Sequence, residues 1–236
     1  MAISQKEPIK SRWKWNKVVV VFILSLPFIG AFILYRITQK NLQMPRYHVV
    51  ESIHGTYEKG KEHFDTVFHR LNDFSLTNQL GDTVSREDLA GKVTLVTFFP
   101  TTDSVKASYM SAILKKIENT YERSDSGFHI LTLTTNPQHD SINVLKNFAD
   151  NLQANQDVWW FLTGSRQEIL NMAKTDFEVT LQKADSSDTS LYSPQFILMG
   201  KDQYVRGYYN AFDSSRVEKC VRDISMLMLE KMKNGE

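Results

Sequence analysis

The strongest pattern along the chain is an unbroken apolar run, Val18 to Tyr35 (VVVVFILSLPFIGAFILY), without one charged residue. As a helix it spans roughly 27 Å, close to the ~30 Å of a bilayer core. Pro27 and Gly30 are tolerated in such helices. Lys6, Lys10, Arg12, Lys14 and Lys17 precede the run, opposed only by Glu7, and Trp13, Trp15 and Tyr35 stand where an aromatic belt lies. The positive-inside rule then predicts a basic cytoplasmic segment over 1–17 and a transmembrane helix over 18–35. Everything after it is expected on the extracytoplasmic, periplasmic side of the cytoplasmic (inner) membrane, in a single-pass protein. The run exceeds a usual signal-peptide core, and no small-x-small site follows at Tyr35-Arg36-Ile37, which favours an uncleaved anchor.

Residues 36–66 are polar and lack a clear period, and read as a linker. A domain is expected over 67–236. Phe74-Ser75-Leu76 and Thr83-Val84-Ser85 flank Asn78-Gln79-Leu80-Gly81-Asp82, a hairpin pattern. Ser85-Arg86-Glu87-Asp88 opens a short helix that Gly91 ends. Val93 to Phe99 is a nearly continuous apolar run, as a strand buried on both faces requires. Val105, Tyr109, Ile113 and Ile117 recur at helical spacing over Ser104 to about Tyr121. A strand follows at Phe128–Thr134, then a helix capped by Asp140 or Ser141. Trp159–Leu162 is a short strand. Ser165-Arg166-Gln167-Glu168 caps another helix, reaching about Lys174. Residues 183–190 read as a surface loop. Phe196–Met199 and Tyr204–Tyr209 form a hairpin, and a last helix runs from Ser214 or Ser215 to about Lys233. Strands alternating with helices predict an α/β domain with a mixed sheet.

Composition narrows the chemistry. Lys+Arg 28 against Asp+Glu 27 leaves a net charge of +1 in 236 residues, which gives no reason to expect a nucleic-acid partner. The single cysteine, Cys220, excludes an intrachain disulfide, a two-cysteine redox cycle and a cysteine-rich zinc site.

Several segments fall in a recognisable order. They are Asp73-Phe74-Ser75-Leu76-Thr77-Asn78-Gln79-Leu80-Gly81, then Leu89-Ala90-Gly91-Lys92-Val93, then Phe98-Phe99-Pro100-Thr101-Thr102 with Met110. Thr134-Thr135-Asn136-Pro137 with Asp140 follows, and Trp159-Trp160-Phe161-Leu162-Thr163-Gly164 completes the set. Over some 150 residues this resembles the Sco/SenC family of thioredoxin-like proteins. The resemblance implies a thioredoxin-like fold, membrane-anchored outside the cytoplasm. It also implies copper delivery to cytochrome oxidase, or thiol-disulfide reduction there, through two cysteines and one distant histidine. Soft thiolates hold Cu(I), and an imidazole completes such a site.

The resemblance places Asp103 and Ala107 at the two cysteine positions and Tyr192 at the histidine. A carboxylate, a methyl and a phenol make a poor soft-metal site, and no thiolate is left to attack a disulfide. The expectation is therefore a non-enzyme: no catalytic residue, no bound cofactor, and a degenerate pocket lined by Thr101, Thr102, Asp103, Ala107, Tyr192 and Pro194. Pro194 is expected in a cis peptide bond, as thioredoxin-like domains place one there. Function is then expected in binding or assembly linked to respiratory-oxidase biogenesis, with a membrane or envelope protein as partner. Two alternatives stand beside it. One is a copper chaperone using His48, His54, His63 and His69 or Met226, Met228 and Met232. The other is a thiol-disulfide protein working through Cys220, although Cys220 shares a helical face with Ile224 and Leu227 and reads as buried.

Overall fold

The computed structural model describes residues 12–41, 50–58, 61–102, 105–121, 127–183 and 191–230. The chain divides into two units, a long N-terminal helix and everything after it. The helix, α1, covers Arg12–Asn41. Its described apolar side chains between Val19 and Leu34 are mostly exposed. Among the described residues no helix is long and apolar enough to cross a membrane.

The segment read as a linker carries regular structure. Strands β1 (Val50–Glu58) and β2 (Lys61–Phe68) pair antiparallel, with Glu58 opposite Lys61 and Val50 opposite Phe68. Their polar sequences show no clean two-residue alternation, so the hairpin is invisible to hydrophobic patterning.

The domain is built on a five-stranded sheet ordered β11-β10-β5-β6-β7. Its strands are β5 (Val93–Phe98), β6 (Phe128–Leu133), β7 (Trp159–Leu162), β10 (Gln195–Met199) and β11 (Val205–Asn210). β5, β6 and β7 are parallel, while β10 runs antiparallel to both β5 and β11. The carboxyl ends of β5, β6, β7 and β11 and the start of β10 therefore meet at one end of the sheet. Every residue of β5 and β6 is buried, as expected of central strands covered on both faces.

Two cores follow from that double coverage. On one face, Val93, Leu95, Ile130 and Phe161 pack with α2 (Val105–Tyr121), α3 (Ile142–Asn151) and α5 (Ser214–Leu229). On the other, Val96, Phe98, Leu131 and Ile197 pack with the small hairpin β3 (Ser75–Thr77)/β4 (Thr83–Ser85), a 3-10 turn at Glu87–Leu89, and α4 (Arg166–Asn171). Helix α4 runs straight into a π-helical turn, Met172–Asp176, where a plain α-helix was expected. A last small pair, β8 (Gln182–Lys183) with β9 (Leu191–Tyr192), borders residues 184–190, which lie outside the described set.

Strand β7 stands at the sheet edge, and Gln79 closes it. Its buried side chain donates Nε2–H to Trp159 O at 3.0 Å and accepts the Phe161 N–H at 2.9 Å. A backbone bridge between Thr77 and Thr163 continues the cover. Side chain and hairpin together satisfy an edge that would otherwise invite pairing with another chain.

Candidate functional site

The loop that should carry the chemistry leaves β5 at Phe98 and enters α2 at Val105. It sits at the shared end of the sheet. There it meets the turn after β6 and the segment 191–194 that leads into β10. Ser193 N–H donates to Phe98 O at 2.8 Å, and the Thr135 hydroxyl donates to Leu191 O, locking the three segments together.

At the centre lies Asp140, with no exposed surface. Its carboxylate accepts four bonds. Oδ2 takes the Thr101 N–H at 3.0 Å and the Thr134 hydroxyl; Oδ1 takes the Thr101 hydroxyl at 2.5 Å and His139 Nδ1 at 2.8 Å. Thr134 Oγ1 itself accepts the Asn136 N–H at 3.1 Å, so its hydrogen is directed at Asp140. With four donors converging, His139 Nδ1 carries the hydrogen; the ring is about half exposed. The helix cap was expected at Asp140 or Ser141. Ser141 holds it, without a side-chain capping bond, while the Asp140 carboxylate is turned into the loop.

The expected site residues fall as follows. Asp103 lies outside the described residues. Ala107 is 2% exposed and Tyr192 6% exposed, both in the helix-side core. Lys106 Nζ stands 4.7 Å from the centre of the Tyr192 ring, a cation–π distance, and Phe212 meets that ring edge-on at 6.4 Å. Phe212 also stacks on Tyr109 at 5.4 Å. Thr101 is committed to Asp140. The Thr102 hydroxyl is buried with no hydrogen-bond partner among the described residues. So the structure brings Thr101, Thr102, Ala107, Tyr192 and Pro194 to one end, but packs Ala107 and Tyr192 into core where a lined pocket was expected.

Pro194 is a correction. No described peptide bond is cis, so the Ser193–Pro194 bond is trans. The trans form is the cheaper one for X-Pro, and here it is compatible with every bond the segment makes. Pro194 O accepts from Ala211 N–H at 2.8 Å and Ser193 Oγ accepts from Gln195 N–H at 3.1 Å. Pro194 acts as an ordinary proline leading into a strand.

The residues present do not fit copper. The Ala107 methyl supplies no donor, and the Tyr192 phenol lies buried beneath an ammonium. Among the described residues no group of three His, Cys, Asp or Glu is placed to hold a metal ion. His69 is drawn into the fold: its Nε2 lies 3.0 Å from Asp176 Oδ1, which also accepts the Asn72 N–H. The side chains of His48, His54, His63 and Met232 lie outside the described set, and Met226 and Met228 pack against the helix-side core. Cys220 is fully buried, and burial pushes its thiol far above the ordinary range, so little thiolate forms.

Residues 65–229 match the SCO1/SenC family model. A SCO1 protein homolog of Bacillus subtilis (strain 168) is 28% identical over 166 residues, covering 70% of this chain and 86% of that protein. Among solved structures, a SCO1/SenC family lipoprotein from Bacillus anthracis str. Ames superposes with a TM-score of 0.61 at 24% identity, over 67% of this chain and 94% of that one. BsSco, a member of the Sco family of cytochrome c oxidase assembly proteins, was solved in work that identified a disulfide switch. It matches with a TM-score of 0.60 at 27% identity, over 69% of this chain and 95% of that one. With the family model matching well over half its length and the mixed thioredoxin-like sheet in place, the chain belongs to the SCO1/SenC family.

Proposed function

We propose that this chain is a non-catalytic member of the family, a membrane-tethered binding or assembly factor linked to respiratory-oxidase biogenesis. One observation carries the reading. The position expected for a cysteine holds the buried Ala107, and the one expected for a histidine holds the buried Tyr192 under Lys106, while the Asp140 cluster keeps the loop in order. A fold kept without its donor set supports recognition over transfer chemistry. The partner is a membrane or envelope protein.

The apolar run Val18–Tyr35 tethers the chain. The exposed side chains of α1 between Val19 and Leu34, and the basic residues ahead of them, support a span with the domain on the extracytoplasmic face. Resistance to carbonate extraction, with the domain protected from protease in sealed inner-membrane vesicles, is the expected result. Release by carbonate overturns the tether.

The function is tested by Cu(I) competition against a chelating indicator, using the full chain in detergent. No binding tighter than micromolar is expected. The triple variant Asp103→Cys, Ala107→Cys, Tyr192→His restores the donor set and is expected to bind one Cu(I) tightly. Tight one-to-one binding by the unaltered chain overturns the proposal, and His48→Ala, His54→Ala and His63→Ala then say whether those residues supply the ligands.

A further inference from the structure

A second cleft lies on the opposite face of the sheet from α2, beside the edge strand β11. It measures about 290 Å³ and is lined by Glu178, Val179, Thr180, Gln182, Pro194, Gln195 and Tyr208. Its chemistry is one-sided. Glu178 is the one ionisable acid among the lining residues, and no lysine, arginine or histidine joins it. Tyr208 Oη donates its hydrogen to Phe177 O at 3.0 Å, so its remaining capacity is as an acceptor. The Tyr208 hydroxyl is held up at about 12, by burial and then by the nearby Glu178 charge, so it stays a neutral acceptor. Carboxylate and phenol oxygen together present acceptors to whatever enters.

The position of Glu178 is the second, independent observation. Glu178 follows the π-helical turn, and its φ is +46°. That left-handed residue lets Val179 N–H reach back to Ala173 O at 2.8 Å and end the helix. Such a position favours glycine or asparagine, because a side chain there crowds the backbone. It also sits at a helix carboxyl end, whose partial negative charge disfavours an acid. Asp176, buried two residues earlier, adds like charge. Local physics thus argues against glutamate twice. Among the described residues no hydrogen bond or ion pair engages its carboxylate in return. Its side chain lines the cleft.

We infer that this cleft binds a guanidinium group, the arginine side chain of an extended segment of a partner protein. Arginine brings five donors in a planar fork and a weakly hydrated cation. The cleft offers the Glu178 carboxylate and the Tyr208 phenol oxygen as acceptors, with the Pro194 ring among its lining residues. An ammonium, a compact and strongly hydrated point charge, uses such a slot less well. This inference is independent of the copper question, since none of the cleft residues except Pro194 belongs to the degenerate loop region.

The test uses the full chain, ¹⁵N-labelled in detergent micelles, titrated with acetyl-Gly-Arg-Gly-amide and with its citrulline counterpart. Citrulline keeps the shape and removes the charge. Saturable movement of the Val179, Thr180 and Tyr208 amides is expected with the arginine peptide, and at least tenfold weaker binding with citrulline. Glu178→Gln is expected to weaken the arginine peptide at least tenfold. Glu178→Gly is expected to abolish binding while leaving Tm unchanged or higher, because glycine relieves the left-handed backbone. Absence of saturable shifts in the unaltered chain overturns the inference, as does equal binding of citrulline. A lower Tm for Glu178→Gly overturns it too, since the glutamate would then be serving the fold.

Discussion

Removing the Asp140 side chain tests whether one buried carboxylate holds the loop after β5 in place. In Asp140→Ala, the Thr101 N–H and the Thr134 hydroxyl lose an acceptor that has no exposed surface, while the Thr101 hydroxyl and His139 can turn elsewhere. Each stranded buried donor costs about 1–3 kcal/mol, which gives a loss of about 4 kcal/mol for the two. For a domain of this size a loss of 1 kcal/mol lowers Tm by roughly 2–4 °C, so a fall of about 8–16 °C is expected. Asp140→Asn should behave differently. If its amide oxygen takes the Oδ2 place, both fixed donors stay satisfied. The amide NH₂ then faces the Thr101 hydroxyl, which can rotate, and His139, whose Nδ1 becomes an acceptor by moving its hydrogen to Nε2. Only the charge-assisted part of each bond is lost, about 1–2 kcal/mol in total. Thermal unfolding of the full chain in mild detergent, followed by circular dichroism, reads both. Should Asp140→Ala melt within about 3 °C of the unaltered chain, given that same 2–4 °C per kcal/mol, the cluster is not what orders the loop. Should Asp140→Asn be as damaging as Asp140→Ala, charge outweighs the donor–acceptor count, and the assignment of the His139 hydrogen fails.

Gln79→Leu keeps the side-chain bulk but leaves Trp159 O and Phe161 N unmet at the edge of β7, for a loss of about 2–4 kcal/mol in urea unfolding. It should also produce concentration-dependent association through the uncovered edge, and a monomeric, equally stable variant would dismiss the edge-closing role. His129 is 3% exposed against Trp160, with its imidazole held down at about 4 by burial first and by Lys92 second. The unfolded chain takes up that proton near 6.5, so stability falls as pH drops from about 6.5 to about 4, by about 3 kcal/mol. His129→Leu should flatten that part of the pH dependence, and an unchanged slope between pH 4.5 and 7 would show that the imidazole carries none of it.

Those elements were legible whose stability comes from local pattern. The run Val93–Phe98 is fully buried because it is nearly continuous in apolar side chains, broken only by Thr94 and Thr97, and Cys220, Ile224 and Leu227 share a buried face because they recur at helical spacing. The Asp140 cluster was not legible as a cluster. Thr101 lies 39 residues from Asp140, and nothing in a local window distinguishes an aspartate that caps a helix from one that turns back to a loop. The signal was present only as the Thr134…Asp140 spacing after a strand. The β1/β2 hairpin escaped because backbone pairing, not side-chain alternation, defines it. The left-handed Glu178 escaped for the opposite reason: its residue type argues against the conformation it adopts.

The proposed loss of the donor set on a kept fold has a physical basis. The bonds that order the region around the loop are made by Asp140 to Thr101, Thr134 and His139, by Ser193 to Phe98, and by Thr135 to Leu191. None of them uses the side chain of residue 107 or 192. On the proposed reading, those two positions can change without stranding a buried donor or acceptor, the costliest consequence of a substitution in a low-dielectric interior. A methyl at 107 and an aromatic ring at 192 go further and join the helix-side core. Each then gains apolar burial that a solvent-facing metal ligand forgoes, on the order of 25 cal/mol per Å². Restoring the thiolate and the imidazole would reopen that packing. The triple variant proposed for the copper test should accordingly bind metal and melt below the unaltered chain when apo. If it melted higher, the filling of the site by Ala107 and Tyr192 would not be what stabilises this end of the sheet.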